Sequence, residues 1–131
     1  MIGLDTNILV RYLAQDDPMQ SRKATQIFEH RLTQANPDFL SLVTMVEAAW
    51  VLERAYRMSH LEIATAIERI LQANSLVVEN EQEVFTAMTV VKAGRGSFAD
   101  ALIAALNAWA GCRVTLTFDK MASRLAHFQL V

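Results

Sequence analysis

Short apolar runs alternate with longer amphipathic stretches along the whole chain, and this alternation limits the fold more than any other feature. Residues 1–4, 39–42, 76–79 and 113–118 have the length and composition of short strands, with 129–131 as a fifth candidate. The segments between them carry helix signals. Residues 7–13 form one short candidate. Asp17 followed by Pro18 opens a second helix that would run to about residue 34, before Asn36-Pro37. Residues 43–58 form a third, and Ser59-His60-Leu61-Glu62 has the form of a capping box opening a fourth, which ends near Asn74. Asn80 with Glu83 could cap the next. The alanine-rich stretch 97–110 follows the glycine break Gly94-Arg95-Gly96 and stops at Gly111; residues 119–127 read as a last helix. Strands alternating with helices predict right-handed crossovers and a mostly parallel sheet covered on both faces, an α/β/α sandwich.

Composition narrows the class further. A chain of 131 residues has room for about one core, so residues 1–131 are read as a single domain. Hydrophobic residues make up 53%, which excludes intrinsic disorder. Twelve basic against 14 acidic residues give a formal charge of −2, so nothing global marks a nucleic-acid binder. The lone Cys112 cannot form an internal disulfide and reads as a small core residue, and a reducing cytoplasm is the expected compartment. No apolar run is long enough to span a bilayer, and the start MIGLDTNILVRYL lacks the basic opening and cleavage site of a signal peptide.

Four acids stand out. Ligands in an open parallel sheet bind beyond the carboxyl ends of the strands, and Asp5 and Asp119 each follow a strand candidate directly. Each could instead simply cap the helix after it. Glu47 falls inside an apolar stripe between Val43, Trp50 and Val51, where an acid is costly unless paired; Arg54 is the candidate for an ion pair. Asp100 lies opposite the apolar face of its helix with Asn107 and small Ala104, although, three residues after Ser97, it could complete a capping box. Four carboxylates converging on one edge would repel one another without a cation. Hard oxygen donors suit Mg²⁺ or Mn²⁺, and such an ion activates water against a phosphodiester. His30, His60 and His127 lack zinc-ligand spacing, and neither a phosphate-binding P-loop nor a nucleophile elbow is present.

These residues resemble the PIN-domain ribonucleases, and within them the VapC toxins of prokaryotic toxin–antitoxin pairs. Leu4-Asp5-Thr6-Asn7-Ile8-Leu9-Val10 is similar to the first motif of the family, and Thr44-Met45-Val46-Glu47 to the second. Phe98-Ala99-Asp100-Ala101-Leu102-Ile103-Ala104-Ala105 is similar to the third, and Thr117-Phe118-Asp119-Lys120 to the fourth. The resemblance implies a PIN-like three-layer α/β/α sandwich with a mostly parallel sheet of about five strands. It implies Mg²⁺- or Mn²⁺-dependent cleavage of RNA, a homodimer, and inhibition by a cognate VapB-like antitoxin. Asp5 and Asp100 would be the principal metal ligands, with Glu47 and Asp119 completing the site directly or through water. Thr6, Asn7 and Thr117 would supply hydrogen bonds that orient those acids. Many relatives carry a further acid where Ser97 stands.

Arg11, Arg95 and Lys120 lie near the motifs in sequence and are candidates for holding the RNA strand. Trp50, Trp109 and Phe98 could stack bases, but all three sit at helical core spacing, which favours the core. The hydrophobic excess could mark apolar surface for a dimer or an antitoxin helix, or a well-filled core. Two other functions compete. A phosphotransfer domain with an aspartyl nucleophile would need more acid around Asp5. A catalytically inert PIN-like module binding RNA or protein would have no need of four mutually repelling acids.

Overall fold

The computed structural model of the protein describes residues 1–31 and 35–131. Five strands and six α-helices alternate: β1 (Ile2–Gly3), α1 (Thr6–Ala14), α2 (Pro18–Gln26), β2 (Asp38–Leu40), α3 (Leu42–Arg54), α4 (His60–Gln72), β3 (Leu76–Val78), α5 (Glu81–Lys92), α6 (Phe98–Trp109), β4 (Thr115–Thr117) and β5 (Phe128–Leu130). The α/β class read from the alternation is the class observed. No helix among the described residues is long and apolar enough to cross a membrane.

The helix starts follow their signals. Asp17 accepts a hydrogen bond from the Gln20 N–H, with Pro18 in the first turn of α2. Ser59 and Glu62 form the reciprocal capping box of α4. Ser41 caps α3 and Ser97 caps α6. After Gln26 the backbone loosens into a π-helical turn over Ile27–Arg31, in which Phe28 stacks on Tyr12 of α1 with ring centroids 4.1 Å apart. The end of the expected helix at residue 34 lies outside the described residues.

Among the described residues all strand pairing is parallel. β1 pairs with β2 and β2 with β3, while β4 pairs only with β5. The expected sheet of about five strands is therefore hydrogen-bonded as a group of three and a group of two. β1 is two residues long and has β2 on one side only. β4 is shorter than residues 113–118 suggested, and its Leu116 is 63% exposed. The predicted last helix over 119–127 is also corrected. Only a 3₁₀ turn, Ala122–Arg124, forms there, because Leu125 turns extended and His127 adopts a left-handed φ of 70°.

The core collects one face of each long element. Leu9 of α1, Leu40 of β2, Met45 and Leu52 of α3, Val84 of α5 and Leu102 of α6 are its largest fully buried side chains. Each such burial contributes roughly 1.5–3 kcal/mol relative to exposure. Alanines 48, 64, 87 and 101 are buried among them and let helix axes approach closely. α3 packs on α1, α4 and α6, and α5 packs on α4 and α6, so α6 meets both, and α3 and α6 share a border. Two of the four acidic motifs, those of Glu47 and Asp100, are on that border.

Candidate active site

Asp5 stands two residues past β1, at the N-cap position of α1 with extended backbone angles. Its carbonyl accepts the N–H groups of Ile8 and Leu9, but its carboxylate makes no capping hydrogen bond. Capping therefore does not account for the side chain. Thr6 is buried in the first turn, whereas Asn7 is exposed beside Ile8 and Lys23.

Glu47 is exposed on α3 and looks across a 510 Å³ apolar groove to Ile103 and Leu106 of α6. The Glu47–Arg54 ion pair does not form. Arg54 instead lies over the Trp50 ring, 5.6 Å from its centroid. Asp100 occupies the first turn of α6, where its N–H donates to Ser97 Oγ at 3.1 Å. Its carboxylate does not return the bond, so the reciprocal box expected with Ser97 is only half made. Among the described residues, the carboxylates of Asp5, Glu47 and Asp100 form no hydrogen bond and no ion pair.

Asp119 differs. Its Oδ1 accepts the N–H of Met121 at 2.8 Å and of Ala122 at 3.3 Å, while its own N–H donates to Thr117 Oγ1 at 2.9 Å. No α-helix follows for Asp119 to cap; its carboxylate closes the turn before the 3₁₀ segment, and Thr117 orients its backbone rather than its carboxylate. Asn107 is engaged too, donating from Nδ2 to Thr115 Oγ1 at 2.9 Å and tying α6 to β4. Glu79, at the carboxyl end of β3, accepts the Leu42 N–H at 3.4 Å. The apolar run 76–79 takes Glu79 into the strand candidate, so spacing does not mark it as an acid following a strand, although β3 ends at Val78.

The four motif acids do not close into one cluster. Among the described residues, no three His, Cys, Asp or Glu side chains come together as a metal site. The fourth acid is already committed elsewhere: one oxygen of Asp119 accepts the Met121 and Ala122 N–H groups in the turn after β4.

The family model for the PIN domain matches residues 2–128. The chain belongs to the PIN-domain family. Curated proteins and solved structures give no match. PIN domains are in general nucleases that use divalent metal ions, and RNA is the substrate class the family suggests.

The cationic residues of this PIN domain separate into two groups. Arg11, expected at the substrate, is claimed by a local network: Nη1 donates to both Asp16 oxygens at 3.0 Å and to Tyr56 Oη at 3.0 Å, and Nε donates to Gln20 at 2.7 Å. The Tyr56 hydroxyl donates to Asp16 and, more than any other contact, holds that carboxyl below its ordinary range. The same hydrogen bond pushes the phenol up, and the bond to Asp16 pushes Arg11 up. Lys120 is exposed, and Arg95 is exposed on the rim of a 570 Å³ cleft beside Asp100. Trp50 and Trp109 are also exposed, at 57% and 71%, whereas Phe98 is core as its spacing implied. Cys112 is exposed, not a core residue.

Because the folded pKa of Asp16 is depressed, its contribution to stability is present above its unfolded pKa and is lost as pH falls through the folded value. Tyr56→Phe removes the largest cause and leaves Arg11. In an NMR titration of the side-chain carboxyl, Asp16 should then protonate at higher pH than in the parent, and acid unfolding should begin correspondingly earlier. An unchanged midpoint would show that Tyr56 is not what holds it.

Proposed function

We propose that this PIN domain is a metal-dependent endoribonuclease acting as the toxin of a VapBC-type pair in the cytoplasm, with a VapB-like antitoxin and a second copy of itself as partners. The observation that carries this is the family match over residues 2–128 together with three motif carboxylates, Asp5, Glu47 and Asp100, that make no hydrogen bond or ion pair among the described residues. Their hard oxygen donors fit Mg²⁺ or Mn²⁺ by chemistry. An ion held by all three would require them to approach more closely than they stand here.

When bound, a divalent ion supplies an acidified water and positive charge opposite the phosphodiester. Asp5 and Asp100 would hold it, with Glu47 beside them, and one of these carboxylates would accept the proton released in hydrolysis. Asp119 would act at the margin, since one of its oxygens already fixes the turn after β4. Arg95 and Lys120 make no ion pair among the described residues and would steer the anionic strand past an acidic chain; Arg11 is assigned to structure. The apolar groove between α3 and α6, with Val43 and Ile103 exposed on its walls, supports a protein partner there.

The test is cleavage of pooled cellular RNA by protein purified free of any partner, with Mg²⁺, with Mn²⁺ and with chelator, beside Asp5→Asn. Discrete products that need the ion and vanish in the variant are expected. Failure both to cleave and to bind metal would favour a catalytically inert PIN-like module that binds RNA or protein.

A further inference from the structure

Trp50 combines two properties that conflict in a purely structural residue. Its spacing on α3 is that of a core position, yet 57% of it is exposed. Its ring makes a cation–π contact, with the Arg54 guanidinium lying over it 5.6 Å from the centroid. Trp50 lines a 570 Å³ cleft together with the cationic Arg54 and Arg95, with His60, and with the acids Glu53 and Asp100. That volume falls within the range of small-ligand sites. Neither Arg54 nor Arg95 makes an ion pair among the described residues, so both charges remain for a ligand. The loop bearing Arg95 is fixed from both sides: the His60 ring lies against Gly94, and Leu125 lies against Gly96.

We infer that this cleft is a subsite for single-stranded RNA, in which Trp50 stacks one base and Arg54 and Arg95 take the adjoining phosphates. The inference rests on the nuclease reading for its substrate and adds where the strand lies. An aromatic beside two unpaired cations is the arrangement that binds single strands through stacking and charge. Duplex bases are already stacked on their neighbours and do not offer a face. A protein partner fits less well, because it would have to bury two unpaired arginines here, while the apolar groove on the other side of Trp50 holds little charge besides Glu47.

The chain has two tryptophans, so Trp109→Phe leaves Trp50 as the only reporter. Titrating this protein with a short single-stranded oligoadenylate in chelator, where nothing is cleaved, should quench its fluorescence saturably. By anisotropy of labelled RNA, Trp50→Ala should weaken binding about tenfold while Trp50→Phe retains most of it. Arg54→Gln and Arg95→Gln should each lower the salt dependence by about 0.7 in log–log slope. No quenching, with affinity unchanged in these variants at parental melting temperatures, would overturn the subsite. So would quenching that follows protein concentration without RNA, which would place Trp50 between copies of the chain. Metal-dependent cleavage without quenching removes the subsite and keeps the nuclease; quenching without cleavage does the reverse.

Discussion

Asp100→Asn should lower metal-dependent RNA cleavage on the order of a thousandfold and leave the melting temperature unchanged. The size follows from the several kcal/mol that a correctly held ion contributes to a phosphoryl transition state, each 1.4 kcal/mol being about tenfold in rate. The unchanged stability follows from the contacts. Asp100 meets Ser97 through its backbone N–H, which asparagine keeps, and its carboxylate makes no hydrogen bond or ion pair among the described residues. The neutral amide therefore removes a charge and a ligand without removing a support. Cleavage assays on the pooled RNA and thermal unfolding, run on the same preparation, separate the two effects. A fully active Asp100→Asn would exclude this acid from the site. A variant that melts early would mean that the carboxylate has a structural task not visible in its contacts.

Leu102→Ala should produce the opposite pattern, a loss of stability without any change in the acids. Leu102 is 2% exposed on the same helix as Asp100 and belongs to the main hydrophobic cluster. Truncating a buried leucine forfeits its transfer energy and leaves a cavity, together costing about 3 kcal/mol. For a chain of this length that is roughly 10 °C in Tm. Below its melting range the variant should still bind the ion and cleave. An unchanged Tm would mean that α6 relaxes into the space, and that its packing against α3 and α5 is looser than the burial indicates.

The parts of the molecule that were legible in the sequence are those set by local chemistry. Ser59 with Glu62, and Asp17 with Pro18, place their helix starts because the bonds they make lie within four residues. The positions of Asp5 and Asp100 follow from strand and helix boundaries in the same way. What was not legible depends on which distant surfaces meet. α3 carries apolar residues around much of its circumference, so spacing alone could not show that Val43 and Trp50 face outward while Met45 and Leu52 face the core. Arg11 is close to the first motif in sequence, but Asp16 and Tyr56 claim it, and Tyr56 arrives from the end of α3, 45 residues away. The parallel pairing of β4 with β5 is likewise a matter of tertiary placement, which local spacing does not show. The expected final helix failed for a local reason that was present but ambiguous: an aspartate that can start a helix can equally close a turn.

The loop before α6 restricts which sequences this fold can accept. A Cβ at Gly96 would stand 3.0 Å from the Leu125 side chain, and one at Gly94 would meet the His60 ring at 3.3 Å on a backbone already at φ +69°. The two glycines thus lock together the entry of α4, the entry of α6 and the carboxyl-terminal segment. Substitution there would be answered far along the chain, so drift at positions 60 and 125 is coupled to two residues that themselves have no side chain to vary.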